Sequence, residues 1–500
     1  MKTRITAALF FCLLFNFSCT DLDEDLYDRV EDGDFGQTPS EIQALVGGAY
    51  SSLRGFNDGI TISFPTSEYI FFLNEVASDE ATIPTRGTDW FDGGQYQDVQ
   101  RHQWQNNNPM ILSSWRYCYA GIAKVNSIIY QVDKSGLSDE AKLPIYAELK
   151  AIRAYYYYNL LDWFGNVPIV TNFEDTGLPT NSTRQQVYDF VESEWLAALP
   201  YLQSGVVYSK FTKNVVYSLL ARLYLNSEAF VGQARWQDCL DMCQNVTGYT
   251  LAPDFFSNFS TDNHTSPEII FAIPYDSNAG TVGNYMSSMS KHYLHRFTLS
   301  ATGDYPWSGN GMSTQPGVYS SFEDTDRRKK SMLAGEQISL ATNSVIVMDS
   351  GEPLIYTEDI VNFTDAKQNE GVRIDKYEDK AGEKWERDHD LVVIRHAEIL
   401  MMQAECYVRM GAPDLAAPFV EQIRTRAGVG MPASIDLEFL DKELLREFTF
   451  EGKRRTDNIR FGTFFQPWWE KGATPATRAI YPIPTNVLTT NPNLVQNPGY

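Results

Sequence analysis

The chain has 500 residues, with 41 Lys and Arg against 64 Asp and Glu, a formal net charge of −23, and 13% aromatic residues. A surface so acidic repels a phosphate backbone, which argues against nucleic acid as a partner. The length exceeds one ordinary single-core unit and points to two lobes or a helical array with insertions, while six cysteines are too few for a disulfide framework.

The first residues read MKTRITAALFFCLLFNFSC. Lys2 and Arg4 precede an apolar run from Ile5 to Phe15 broken only by Thr6. That run suffices for the core of a secretory signal and is too short to span a bilayer. Ser18 then precedes Cys19, an order that resembles a bacterial lipoprotein signal, in which residues 1–18 are removed and Cys19 carries the lipids. An ordinary secretory signal with a chance cysteine is the alternative. Asp21, Asp23, Glu24 and Asp25 lie in a tether over 19–37 and resemble the export tag of lipoproteins sent to the outer cell surface; otherwise they form a solvated tether. No later apolar run of about 18 residues occurs, so nothing else is expected to cross a membrane.

Helices dominate the rest of the chain. Thr38-Pro39-Ser40-Glu41 combines an N-cap, a Pro at the first helical position and a Glu three residues past the cap, opening a helix to about Phe56. From Ser113 to Asp133, Cys118, Ile122, Val125, Ile129 and Val132 step by four, three, four and three, an amphipathic stripe. Ser138-Asp139-Glu140 starts a long helix ending near Gly165. Further helices fit 183–199, 212–230, 234–246, 391–410, 414–427 and 437–451. Cys118, Cys239, Cys243 and Cys406 fall on these periodic stretches, as buried cysteines acting like small apolar residues do. Between about 258 and 386 the helical period gives way to Gly, Ser, Asn, Thr and aromatics, with strand-like runs at Glu268 and Ser344; a second irregular stretch covers 57–109. The expected fold is mostly α, an irregular tetratricopeptide-like array over about 38–257 and 387–500, interrupted by a loop-rich insertion with short strands.

Six segments, in order, resemble one family, the SusD/RagB glycan-binding outer-membrane lipoproteins. They are AELKAIRAYYYYNLLDWFGNVPIV from Ala147, TKNVVYSLLARLYL from Thr212, HDLVVIRHAEILMMQAECYVRMG from His389, VEQIRTRAGV from Val420, LLREFTFEGKRRTDNIRFG from Leu444, and the closing YPIPTNVLTTNPNLVQNPGY. The resemblance implies a SusD-like helical array. It also implies a non-catalytic lipoprotein on the cell exterior that captures oligosaccharides and delivers them to a SusC-like TonB-dependent outer-membrane transporter. It implies no cofactor and no catalytic residue, and no zinc-ligand spacing accompanies His292 and His295. Two other classes compete. A surface glycoside hydrolase needs two carboxylates facing a cleft, and Glu447 and Glu451, one turn apart beside Arg454 and Asp457, read instead as salt-bridge partners. A helical scaffold binding other proteins leaves the aromatic loops without a purpose.

A sugar presents an apolar face and a rim of hydroxyls, so binding one from water needs an aromatic platform flanked by polar side chains. NEVASDEATIPTRGTDWFDGG, from Asn74, supplies Asp79, Arg86 and Asp89 around Trp90. The resemblance places ligand contacts in this early loop, so Trp90 reads as a stacking residue; a Trp buried beneath the loop is the alternative. A second platform is Tyr305, Trp307 and Tyr319, among glycines and prolines that signal surface loop. Asn57 and Asp58, ahead of Gly59, and Arg373 and Tyr377, in GVRIDKY, are further polar candidates that turn chemistry or strand packing explains equally well.

Overall fold

Local signals set where the helices begin. Thr38 Oγ1 accepts the Glu41 N–H at 3.3 Å and Glu41 Oε2 accepts the Thr38 N–H at 2.9 Å, the reciprocal cap that opens α1 (Pro39–Ser52). The computed structural model describes residues 36, 38–58, 62–276, 284–286, 288–299, 308–379 and 388–500; the leader, Cys19 and nearly all of the tether lie outside them. A short α2 (Ile70–Glu75) and β1 (Ala81–Thr82) lead to the long pair α3 (Pro109–Lys134) and α4 (Asp139–Trp163). Then come α5 (Arg184–Ala198), α6 (Lys213–Leu225) and α7 (Trp236–Asn245). Asn108, Ser138, Thr183 and Thr212 side chains each accept a backbone N–H of the first turn, so these starts are written locally.

Neighbouring helices pack on one another, α3 on α4, α4 on α5 and α6 on α7. The α3–α4 crossing is close because Gly121 faces the Tyr156 ring, where a Cβ would lie 2.1 Å from Cζ. Tyr155, Tyr156, Tyr157 and Tyr158 are all buried, more than one face of a surface helix could hide. Two of their hydroxyls find partners outside α4: Tyr156 meets Ser52 Oγ at 2.9 Å and Tyr157 donates to Val170 O at 3.2 Å. Cys118, Cys239, Cys243 and Cys406 are free and buried.

Past α7 come β2 (Ile269–Ile273), β3 (Ser313–Thr314), β4 (Gly335–Glu336), β5 (Ile355–Tyr356) and β6 (Arg373–Ile374). Strand β1 pairs antiparallel with β3 (Ala81↔Thr314), fastening the early loop to this region. Strand β7 (Leu391–Arg395) pairs antiparallel with β2 and runs straight into α8 (His396–Arg409). The helix expected over 391–410 therefore begins five residues late. Leu391–Ile394 is a β-branched apolar run that the buried edge of β2 recruits, whereas short apolar runs carry no decisive period.

The C-terminal helices α9 (Ala417–Ala427) and α10 (Leu437–Phe448) pack with α8, which also touches α6 and α7, and α11 (Arg454–Phe461) packs on α10. At their centre Arg395, fully buried, meets Glu268 Oε1 at 2.8 Å, Glu447 Oε1 at 2.6 Å and Glu451 Oε1 at 2.7 Å. Arg328 pairs with Glu443 and Glu447, Arg426 with Glu268 and Glu447, and Lys376 with Glu451. Glu447 and Glu451 are ion-pair members, as their spacing among Arg and Lys suggested. Burial works against their ionisation, but the facing cations outweigh it. Glu447 is held well below the usual carboxylate range and Glu451 at about 2. Among the described residues no helix is long and apolar enough to cross a membrane.

Candidate functional site: the aromatic rim at Trp90 and Tyr293

The loop after β1 turns tightly at Arg86–Asp89, whose backbones exchange hydrogen bonds at 3.0 and 3.1 Å. Arg86 is 1% exposed and fastens the turn from beneath. Its Nε donates to Asn310 O and its Nη2 to Ser313 Oγ, both at 2.9 Å, and its Nη1 donates to Lys367 O. Arg373 lies alongside, donating to Asn310 Oδ1 at 2.9 Å, Ser313 Oγ at 2.8 Å and the carbonyls of Gln368 and Glu370, with Tyr356 beneath its guanidinium. Burial pushes both guanidiniums down, Arg373 to about 10, and Arg373 depresses Arg86 further.

Trp90 holds φ at 62°, a backbone state uncommon for a bulky residue. Its indole Nε1 donates to Gly309 O at 2.6 Å, and its ring lies on the Gly311 backbone, where a Cβ would come within 2.4 Å of Cε2. Phe72 and Tyr96 close the inner side with centroids at 6.0 and 5.5 Å. The ring is half-buried, while Phe91, Asp89 and Asp92 beside it are exposed. Trp90 thus combines both readings of the sequence, a loop anchor through one face with part of the ring left at the surface.

The segment under Trp90 carries the rim onward. Gly309 N–H donates to Ser288 O, Asn310 N–H to Lys291 O and Gly311 N–H to Met289 O, which brings the residues after Met289 beside the Trp90 loop. Tyr293 stands there half-buried, its hydroxyl donating to exposed Asp349 at 3.1 Å and its ring 4.0 Å from that of His292. Burial and Asp349 push the Tyr293 phenol up, Asp89 adds to the push and Arg296 opposes it. Tyr293 therefore has Asp349, Arg296 and Asp89 within electrostatic reach, and Asp89 adjoins Trp90 in the chain: two half-buried rings associated with acceptors and a guanidinium, the chemistry a sugar ring requires. Sequence reasoning missed Tyr293, Arg296 and Asp349. The SKHYLHRF stretch draws attention only through its histidine spacing, and nothing local to Tyr293 announces Asp89 or Asp349.

Several expected ligand residues are interior instead. Arg86 and Arg373 are spent on the backbone that supports the rim, and Tyr377, 3% exposed, packs edge-on against Phe259 and His389. Asp79 is half-buried rather than interior, and is clamped by Arg454 at 2.6 and 2.8 Å; burial opposes its ionisation, yet Arg454 prevails and holds its carboxyl below the usual range. Each is corrected from ligand contact to scaffold, because the fold itself occupies it. Asn57 and Asp58 are exposed, Asp58 meeting Arg116 at 3.3 Å. Tyr319 is half-buried on the turn over 317–321, with Lys329 Nζ 4.5 Å above its ring. Tyr305 and Trp307 lie outside the described residues.

A cavity of about 150 Å³ also opens inside the helical array, between Tyr155, Tyr158, Arg222, Glu398 and Lys453. Its charged walls satisfy one another: Arg222 meets Glu398 at 2.6 Å and Lys453 meets the same carboxylate. Glu398, despite its burial, is held at about 2 by these cations. Such matched charge stiffens a fold more than it recruits a ligand.

Comparison with known proteins places one family along the chain. The model of the SusD family matches residues 242–477, and a second, described as "Starch-binding associating with outer membrane", matches 67–225. The starch-binding protein SusD of Bacteroides thetaiotaomicron is 25% identical over 488 residues, covering 86% of this chain and 85% of that protein. A SusD-like protein of Formosa agariphila is 25% identical over 528 residues and 98% of both chains. Among solved structures, surface glycan-binding protein A from Bacteroides thetaiotaomicron superposes with a TM-score of 0.75 at 21% identity, over 93% of this chain and 100% of that one. The same protein in complex with laminarihexaose gives 0.74 at 20%, over 92% and 99%. Two family models side by side, relatives matching along nearly the full length and the shared helical fold together make this chain a member of the SusD family.

Proposed function

We propose that this protein is a non-catalytic glycan-binding lipoprotein of the outer membrane, held by lipids on Cys19, facing the cell exterior, and passing oligosaccharides to a SusC-like TonB-dependent transporter. The observation that carries the glycan reading is the rim itself, where Trp90 and Tyr293 offer ring surface beside Asp89, Asp349 and Arg296. Stacking accepts many sugars and the flanking groups select among hydroxyl patterns. Relatives of this chain are named for starch and, in one structure, hold laminarihexaose, so α- and β-linked glucans are the first ligands to try. Glu447 and Glu451, the spaced carboxylate pair a hydrolase reading would use, are sealed by Arg395 and Lys376, which supports binding without cleavage.

The test is calorimetric titration of the purified protein with a panel of polysaccharides, then hours of incubation and assay for new reducing ends. Saturable binding to at least one glycan, weakened by Tyr293→Ala and without release of reducing ends, is expected. No binding across the panel, or turnover abolished by changing a rim carboxylate, overturns the reading. Anchoring is tested separately: Cys19→Ala should leave the protein unprocessed or release it from the membrane fraction, because it removes the attachment point of the acyl chains.

A further inference from the structure

Glu75 closes α2 and Glu80 immediately precedes β1, and both side chains are fully buried. Each accepts a backbone N–H from the same turn, Glu80 Oε1 from Phe450 and Glu75 Oε1 from Gly452. That turn joins α10 to α11, and its backbone is left-handed at both places, with φ 58° at Phe450 and 72° at Gly452. A side-chain-bearing residue keeps such a conformation only where its surroundings hold it.

The two carboxyls act on each other's ionisation, and the Oε2 atom of each is buried without a hydrogen-bond partner among the described residues. Two ionised carboxylates offer no donor to each other and repel when buried together, whereas a carboxylic acid on one of them supplies a donor to the other. Nor is a cation spent on them. Lys376 Nζ is bound to Thr449 O at 2.7 Å and Glu451 Oε1 at 2.6 Å, and Arg454 is bound to Asp79 and Asp441.

We propose that Glu75 and Glu80 hold one shared proton and act as a pH-sensitive clasp, fixing the Phe450–Gly452 turn against the base of the aromatic loop. Burial pushes both carboxyls up, and each raises the other's affinity for the proton or gives way to it. Glu75 rises to about 7, with Lys376 pulling it down and Glu451 pushing it up; Glu80 is raised too, by burial and by Glu75, with Arg454 opposing. A proton held more tightly by the folded chain than by the unfolded one stabilises the fold fully below the ordinary Glu value of about 4.3. That contribution is lost as pH rises toward and through about 7. Without the proton, two buried anions face each other, and separating them means releasing the turn. Because α2 carries Phe72 under Trp90 and β1 leads into the Trp90 turn, the clasp sits at the root of the rim, and its existence does not depend on what the rim binds.

The experiment compares urea unfolding of the wild-type chain and Glu80→Gln from about pH 5 to about pH 9, a range that brackets the loss of the proton. The Gln amide donates to Glu75 without a titrating proton, so the variant should lack a component of up to tenfold per pH unit in the folding equilibrium that the wild type shows. Glu75→Gln should behave likewise, and either folded variant decides the matter. Profiles parallel to wild type in the folded variants overturn the clasp. The infrared spectrum of the wild type supplies a check without any substitution. A protonated-carboxyl C=O band is expected at about pH 6, well above the ordinary Glu value; its absence overturns the proposal.

Discussion

Two polar clusters of this chain are built from the same residue types and finished differently. Around Arg395 every charge is buried and matched, Glu268, Glu447 and Glu451 to one guanidinium, with Arg328, Arg426 and Lys376 closing the outer side. At the rim the matching stops at the surface: Asp89, Asp349 and Phe91 are exposed, and Trp90 and Tyr293 are half-open. Arg86 and Arg373, beneath the rim, are also bonded internally, though to backbone carbonyls, Asn310 and Ser313 rather than to carboxylates. The difference teaches where to look for a ligand. A polar group whose partners are all internal holds elements in register, and one left half-served at an aromatic surface is available to something from outside.

Breaking the sealed cluster should have the largest effect. Arg395→Ala leaves three buried carboxylates facing one another, and removal of one partner from such a network costs about 3 to 5 kcal/mol. Urea unfolding should register that loss, and a change under about 1 kcal/mol would show that the network is not the structural centre of the C-terminal helices. Its pH dependence has the opposite sign to the Glu75–Glu80 clasp. Glu451 is held at about 2 and Glu447 lower still by their cations, so their stabilisation is present above the ordinary Glu value of about 4.3 and is lost as pH falls through the folded values. The melting temperature should therefore drop between about pH 4 and pH 2, and Glu451→Gln should flatten part of that slope.

Trp90 sits between the two kinds. Its ring lies on Gly311 and against Phe72 and Tyr96, and its Nε1 is bound to Gly309 O. Trp90→Ala should thus cost stability as well as affinity: about 2 to 3 kcal/mol of fold, less than a fully buried ring, together with about 1 to 3 kcal/mol of glycan binding. Trp90→Phe should recover more of the stability than of the affinity. Full stability of the Ala variant would mean the indole is no anchor, and unchanged glycan affinity would remove it from the site.

Legibility in the sequence tracks the range of the interactions concerned. Helix starts at Thr38, Ser138 and Thr183 depend on atoms three residues apart; charged neighbours suggested that Glu447 and Glu451 are ion-paired, but their partners Arg395, Arg328, Arg426 and Lys376 come from other segments and Glu451 lies past the end of α10. Strand β7 was hidden, since its partner β2 lies more than a hundred residues earlier and its apolar run fits helix or strand. Arg86, Arg373 and Asp79 looked like ligand residues because their partners Asn310, Ser313 and Arg454 are supplied by other segments. Tyr293 went unseen for the converse reason, as the carboxylates that make it a site residue come from two other loops.

The smallest and most selective effect belongs to Tyr293. Its ring is half-buried, and its hydroxyl reaches exposed Asp349, a hydrogen bond at the surface that contributes little to folding. Tyr293→Ala should weaken glycan binding by about tenfold, equivalent to about 1.4 kcal/mol of lost stacking, while the melting temperature shifts by no more than a degree or two, as for a substitution worth about 0.5 kcal/mol or less. Tyr293→Phe keeps the ring and removes the tie to Asp349, so a loss of about 0.5 to 1 kcal/mol in affinity is expected, roughly two- to fivefold in Kd. The ratio of the two variants then divides ring stacking from hydroxyl positioning. If the Phe variant binds as poorly as the Ala variant, the hydroxyl and Asp349, not the aromatic face, carry recognition at this position. If neither moves the affinity, the rim ends at Trp90 and the site must be sought elsewhere along that loop.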